Sequence, residues 1–150
     1  MDKKIAFTKE GFAALQKEYL DLLNSRRPAV EDLKKAREMG DLSENGYYKS
    51  AKSKLSSIDY NLRRLNYLIK SAVVVERQKE YVDVGSQVIL VSNGKKIEYQ
   101  IVGSYESNPQ EGKISNVSPL GKELISKKIG GEATVTTPSG KVSYKIVKIE

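Results

Sequence analysis

The amino-acid sequence predicts an α+β protein, an N-terminal antiparallel coiled-coil hairpin followed by a small α+β domain. Three observations carry that prediction. First, Tyr48, Ala51, Leu55, Ile58, Leu62, Leu65, Ile69 and Ala72 alternate spacings of three and four, the seam of a coiled coil. Second, only four to six residues separate this pattern from a helical pattern before it, so the two helices must fold back on each other. Third, from Val73 onward the apolar residues fall in short runs of period two, with turn residues between them.

The first helix is expected to start after Thr8, as N-cap, with Phe7 as a staple residue. Phe12, Leu15, Tyr19, Leu22, Val30 and Leu33 supply its apolar stripe, and Arg26 occupies one seam position. Pro28 lies inside the run and should kink or loosen it. Gly40 follows Glu38 as a C-terminal stop. A helix of about 30 residues is about 45 Å long at 1.5 Å per residue. The pattern therefore describes a rod whose tip is Asp41 to Asn45.

In the second half, Val84 to Val91 and Ile97 to Val102 flank Asn93-Gly94, a strong hairpin signal. Lys113 to Ser115 is a third short strand. Pro119 to Ile125 is a short helix with Ser118 as N-cap and Pro119 at its first position. Ala133 to Thr137 and Lys141 to Ile149 form a second hairpin about Thr137-Pro138-Ser139-Gly140. Glu76 to Tyr81 is charged and aperiodic. The expected division is thus 1–75 for the hairpin, 76–81 for a linker and 82–150 for the globular domain.

Charge narrows the partners. The chain carries a net charge of +7, which favours an acidic partner such as nucleic acid, a nucleoprotein machine or anionic lipid. Residues 1–75 hold 15 Lys and Arg against 10 Asp and Glu, whereas residues 76–150 hold 11 against 9. The nucleic-acid face is therefore expected in the first half. With no Cys and no His, thiol chemistry, thiolate zinc sites and imidazole general bases are excluded. No apolar run is long enough to span a bilayer, and the first residues lack the apolar segment of a signal peptide. The expectation is a cytoplasmic protein with no membrane partner.

The chemistry is concentrated in Met39-Gly40-Asp41-Leu42-Ser43-Glu44-Asn45-Gly46, where two carboxylates stand three residues apart. One reading is a capping box, with Asp41 as N-cap of the second helix and Glu44 reaching back. The other is a pair of hard oxygen ligands at the end of a rod. Two carboxylates cannot fill the six positions of Mg²⁺, so such a site would be shared with another macromolecule. Both readings stand on spacing alone. Tyr48 lies on the seam, whereas Tyr47 falls off it and is free to stack on a base or stand exposed.

Ala36-Arg37-Glu38-Met39-Gly40-Asp41-Leu42-Ser43-Glu44-Asn45, followed by Tyr48 and Ala51, resembles the tip signature of the bacterial transcript cleavage factors, the Gre family. Arg26-Arg27-Pro28 fits the same family. So do Asn116-Val117-Ser118-Pro119-Leu120-Gly121-Lys122-Glu123-Leu124-Ile125 and Thr137-Pro138-Ser139-Gly140. The resemblance covers essentially the whole chain. It implies an FKBP-like fold for the globular domain and docking at the secondary channel of bacterial RNA polymerase. There the tip would help hold a second Mg²⁺, and the polymerase would hydrolyse the 3′ end of backtracked nascent RNA. On that resemblance Asp41 and Glu44 assist the polymerase-bound metal, while Arg37, Ser43, Asn45 and Tyr47 support the tip. Ser118 and Pro119 match a segment associated with docking. The chain itself would be an accessory factor and not an enzyme, and its tip would hold no Mg²⁺ stably alone. Two positions depart from the common pattern: many relatives have Ala at Gly46 and an acidic residue at Tyr47. The alternatives are a channel-binding regulator that does not stimulate cleavage, a plain coiled-coil interaction module, and a proline isomerase.

Overall fold

The structure is a computed structural model that describes residues 3–40 and 45–150. Its elements run in the order β1 (Ile5–Phe7), α1 (Lys9–Glu38), α2 (Gly46–Ser71), β2 (Ala72–Val74), β3 (Gln87–Ser92), β4 (Lys95–Val102), β5 (Lys113–Ser115), α3 (Pro119–Leu124), β6 (Glu132–Thr137) and β7 (Gly140–Ile149). The α+β expectation holds, with a helical hairpin preceding a sheet domain. Two compact units are formed, one of Ala13–Lys70 and one of Met1–Phe12 with Ser71–Glu150. This grouping differs from a single cut at 76–81, because the first residues of the chain pair with the segment that leaves α2.

Within the helical unit the two helices are antiparallel, since Glu18 reaches Arg64, Arg26 reaches Asp59, and Asn45 reaches Ala36. The stripe of α1 is regular once small residues are counted. Leu15, Ala29 and Ala36 are buried and Leu22 is half-buried, each seven residues from the next, with Tyr19 and Leu33 between them. Val30, expected on the stripe, is instead 38% exposed while its neighbour Ala29 is 2% exposed. Strict heptad spacing from Leu22 lands on Ala29, and reading only large side chains misplaced the seam by one residue. Along α2, Ala51, Ile58 and Leu65 are buried and Tyr48, Leu55 and Leu62 half-buried, as the spacing predicts. Its end differs. Leu68 and Ser71 are the buried residues of the last turn, and Ala72 has left the helix for β2.

Arg26 fills a seam position with a charge, and its length lets the guanidinium reach the rim. Its Nε and a terminal nitrogen donate to the two carboxylate oxygens of Asp59 at 2.6 and 3.3 Å. The hydrogen bond and charge of Arg26 lower the Asp59 pKa from the usual carboxylate value. Helix α1 runs unbroken through Pro28. It then closes with amides of Met39 and Gly40 on the carbonyls of Ala36 and Arg37, and Gly40 takes φ +76° as expected of a stop.

In the second unit a five-stranded sheet has the order β5-β4-β3-β7-β6. Only the β4–β5 pair in it is parallel. Asn93 and Gly94 turn β3 into β4 with φ of 51° and 76°, the pair of positive values that a two-residue type I′ hairpin requires. Val88, Leu90, Ile101, Ile146 and Ile149 point inward from the sheet and meet Val82 and Leu124 in one apolar core. β3 begins three residues later than the sequence implies, because Val84-Gly85 is a turn with Gly85 at φ +98°. The segment around 76–81 is irregular, as expected. It is also tied down: Arg77 donates to the Glu150 carbonyl and to Gln87, and Gln78 bonds the Tyr81 backbone.

β1 and β2 had no counterpart in the sequence reading. They pair in parallel, Ile5 with Ala72 and Phe7 with Val74. Phe7 is thus a strand residue, and it stacks on Tyr105 with ring centres 6.3 Å apart. Thr8 does cap α1, its hydroxyl accepting from the Gly11 amide at 3.0 Å. The carboxylate that a capping box would place at the third helical position comes from Glu106 instead. It accepts the Thr8 amide at 2.9 Å, the Thr8 hydroxyl, and the Gly103 amide at 3.3 Å. Glycine at position 11 leaves room for it, since a Cβ there would lie 1.8 Å from a Glu106 oxygen.

Two glycines therefore respond oppositely to the same change. Gly11→Ala displaces Glu106 and strands the amide of the buried Thr8, an expected loss of about 1–3 kcal/mol in urea unfolding. Gly46→Ala meets nothing within 4 Å and is expected to gain up to about 1 kcal/mol. The pH response of the hairpin follows from Asp59. Its folded pKa lies below its unfolded one, so the ion pair contributes above the unfolded value and is lost as acid carries the pH down through the folded one. Melting curves of Asp59→Asn should be less acid-sensitive than wild type over that window.

Candidate functional site: the hairpin turn and the α3 corner

The turn between α1 and α2 is built by Asn45. Helix α2 begins at Gly46, and the Asn45 side-chain oxygen accepts from the Tyr48 amide at 3.1 Å, the bond that defines an N-cap. The Asn45 carbonyl takes the Lys49 amide at 3.1 Å, the first turn of α2. The capping reading that gave the start of α2 to Asp41 is thereby corrected, because the cap belongs to Asn45. Asn and Asp serve equally at that position, so spacing pointed to the wrong member of the run. The same side chain also looks the other way. Its Nδ2 donates to the Ala36 carbonyl at 3.1 Å, a second bond on an oxygen that already accepts the Met39 amide.

Asp41, Ser43 and Glu44, with Leu42, lie outside the described residues. Around them the described side chains are largely basic. Lys35 and Arg37 stand in the last turn of α1, where they also suit the negative end of its dipole, and α2 has no acidic residue in its first turn. Arg37 is exposed, Tyr47 is 53% exposed and Met39 66% exposed. Tyr48 is half-buried on the seam.

The second group of expected site residues sits at the start of α3. Ser118 caps the helix as predicted, its hydroxyl accepting from Gly121 at 3.1 Å while donating to the Ser115 carbonyl at 2.6 Å. A Cβ on Gly121 would lie 2.0 Å from that same carbonyl, so the corner admits only glycine there. The Ser118 hydroxyl is consumed internally, and the exposed surface belongs to its neighbours. Pro119 is exposed, and Val117 is 56% exposed. Both edge a groove between α3 and β6 whose other walls include Lys122, Glu123 and Thr134.

Comparison with known proteins assigns this architecture to a class. Residues 5–74 match the model of the N-terminal domain of transcription elongation factors, and residues 77–150 match the C-terminal domain of the GreA/GreB type. The chain belongs to the GreA/GreB family of transcription elongation factors. Transcription elongation factor GreA of Geobacillus kaustophilus is 40% identical, over 99% of this chain and 98% of that relative. Transcription elongation factor GreA of Nitratiruptor is 39% identical, over 99% and 94%. Among solved structures, GreA factor homolog 1 of Thermus thermophilus is 26% identical over 99% of both chains, with a TM-score of 0.47. Among the described residues no helix is long and apolar enough to cross a membrane.

The two roles at the α3 corner separate by stability. Ser118→Ala removes both the cap and the Ser115 bond and should cost about 0.5–2 kcal/mol in denaturant unfolding. Val117→Ser, on the exposed rim, should stay within about 0.5 kcal/mol of wild type.

Proposed function

We propose that this elongation factor binds bacterial RNA polymerase through its secondary channel and stimulates the polymerase's own Mg²⁺-dependent cleavage of backtracked RNA. Removal of the displaced 3′ end would return an arrested complex to elongation. In this reading the chain is an accessory factor acting in the cytoplasm, and the nuclease is the polymerase. Asp41 and Glu44 are the residues that would hold the metal jointly with polymerase ligands. The observation that carries the reading is the match of both halves of the chain to the GreA/GreB family models, together with a tip run that contains two carboxylates. Two carboxylates three residues apart in sequence are hard oxygen donors, the type Mg²⁺ takes. When bound, that ion supplies activation of the attacking water and charge stabilisation at the scissile phosphate.

The remaining residues have simpler tasks. Arg37, with Lys34, Lys35 and Lys49 near it in sequence, offers cations to the phosphates of the displaced RNA. Tyr47, exposed beside the tip, offers a ring for stacking on a base. Ser43 belongs to the tip signature and supports it. In the globular unit, Ser118 and Pro119 form the docking corner. Ser118 acts there through the helix it caps, and Pro119 and Val117 supply the apolar contact.

The test is cleavage by a backtracked elongation complex with added factor. Asp41→Asn and Glu44→Gln each remove a negative charge while conserving shape. Both variants should fold and bind polymerase as wild type does, yet stimulate cleavage far less. Raising Mg²⁺ should restore part of the loss, since a weakened site refills by mass action. The double variant should be nearly inert and compete with wild type for the channel. Wild-type cleavage by the double variant would refute the shared-metal role. Polymerase binding without any stimulation by the wild-type factor would leave the channel-binding regulator.

A further inference from the structure

The geometry points to Asn45 as a positioning residue that sets the span of the tip for cleavage, a role distinct from capping. The inference rests on the shared-metal reading above. Its basis is that one carboxamide makes two bonds in opposite directions. Oδ1 accepts from Tyr48 in the first turn of α2, and Nδ2 donates to Ala36 in the last turn of α1, each at 3.1 Å. A cap needs only the first bond. The second joins two helices nine residues apart in sequence and closes the chain on either side of residues 41–44.

Among the described residues the tie is the polar contact nearest the end of the hairpin. The next cross-helix contact toward the base is Arg26 with Asp59. In between, the seam is apolar, with Ala29, Ala51 and Ile58 buried and Leu33 and Leu55 half-buried. Apolar contact of that kind is non-directional, whereas the Asn45 bonds fix a distance. Catalytic assistance by two carboxylates depends on their placement, and displacement by about 1 Å can cost on the order of a hundredfold in rate. A side chain that holds the two helix ends at fixed separation acts on the reaction through Asp41 and Glu44 without touching RNA or metal.

Asn45→Ser and Asn45→Asp isolate the tie, because Ser and Asp cap helices as well as Asn does. Aspartate has no proton to donate at neutral pH, and the serine hydroxyl is too short to serve both helices. In each variant the Tyr48 amide should stay protected from hydrogen exchange, while exchange at Met39 and Gly40, which close the same end of α1, should rise several-fold. In the cleavage assay, half-maximal factor concentration should be unchanged and the maximal rate should fall roughly tenfold or more. Asp41→Asn serves as reference, since Mg²⁺ should rescue it in part but not Asn45→Ser, whose ligands are intact but misplaced. Three results would overturn the proposal: wild-type maximal rates from both Asn45 variants, a loss confined to polymerase affinity, or unchanged exchange at Met39 and Gly40. If wild type fails to stimulate cleavage, the shared-metal reading falls and the proposal with it. If Asp41→Asn is defective while both Asn45 variants are normal, only the proposal falls.

Discussion

The helical unit depends on a seam only one residue wide. Leu15, Leu22, Ala29 and Ala36 repeat every seven residues on α1 and face the Ala51, Ile58 and Leu65 repeat on α2. Two helices can bury one stripe each and no more, so a hairpin about 45 Å long gains little per turn from apolar contact. The directional bonds are spread along it. Arg26 spans to Asp59 midway, and Asn45 ties the far end. Exposed ion pairs add little stability, so the better account of Arg26 is register. A guanidinium fork that meets both oxygens of one carboxylate specifies which residues stand opposite.

The globular unit solves a different problem, how to start a long helix from a three-residue strand. Thr8 supplies the cap, and the charge that would ordinarily follow three residues later is brought by Glu106 from 98 residues away. Gly11 is the cost of that arrangement: a residue with poor helix propensity stands where the carboxylate must approach. Gly103 answers to the same constraint, since a Cβ there would lie 1.8 Å from the Ala6 carbonyl. Among the described residues no buried side-chain nitrogen or oxygen is left without a partner.

Legibility in the sequence followed the range of the interaction. The α2 seam, the Asn93-Gly94 hairpin, the Ser118 cap and the Gly40 stop are local, and each was readable from a few residues. β1 and β2 were not, because three-residue strands carry no periodicity and their partners lie 67 residues apart. The Glu106 clamp was hidden for the same reason. The misplacement of Val30 came from weighting size over spacing, when alanine was the true seam residue. At the turn, the carboxylates drew the capping assignment away from the asparagine that holds it. The polymerase-facing role proposed for the tip rests on the family's residue pattern, because two carboxylates alone fit either reading.

The assignment of the cap to asparagine has a further electrostatic consequence. An aspartate cap would be held ionised by the helix dipole and would spend its oxygens on backbone amides. A neutral amide accepts the Tyr48 amide without adding charge to the start of α2. Around the turn the sequence places Lys34, Lys35, Arg37, Lys49, Lys52 and Lys54 against one described acid, Glu38. A basic collar draws phosphate toward the tip but, left alone, would repel a divalent cation. Asp41 and Glu44 restore local neutrality only in part, which favours a metal that arrives with other ligands over one that binds the free factor. On its charge, such a tip is better suited to completing the metal site proposed above than to forming one alone.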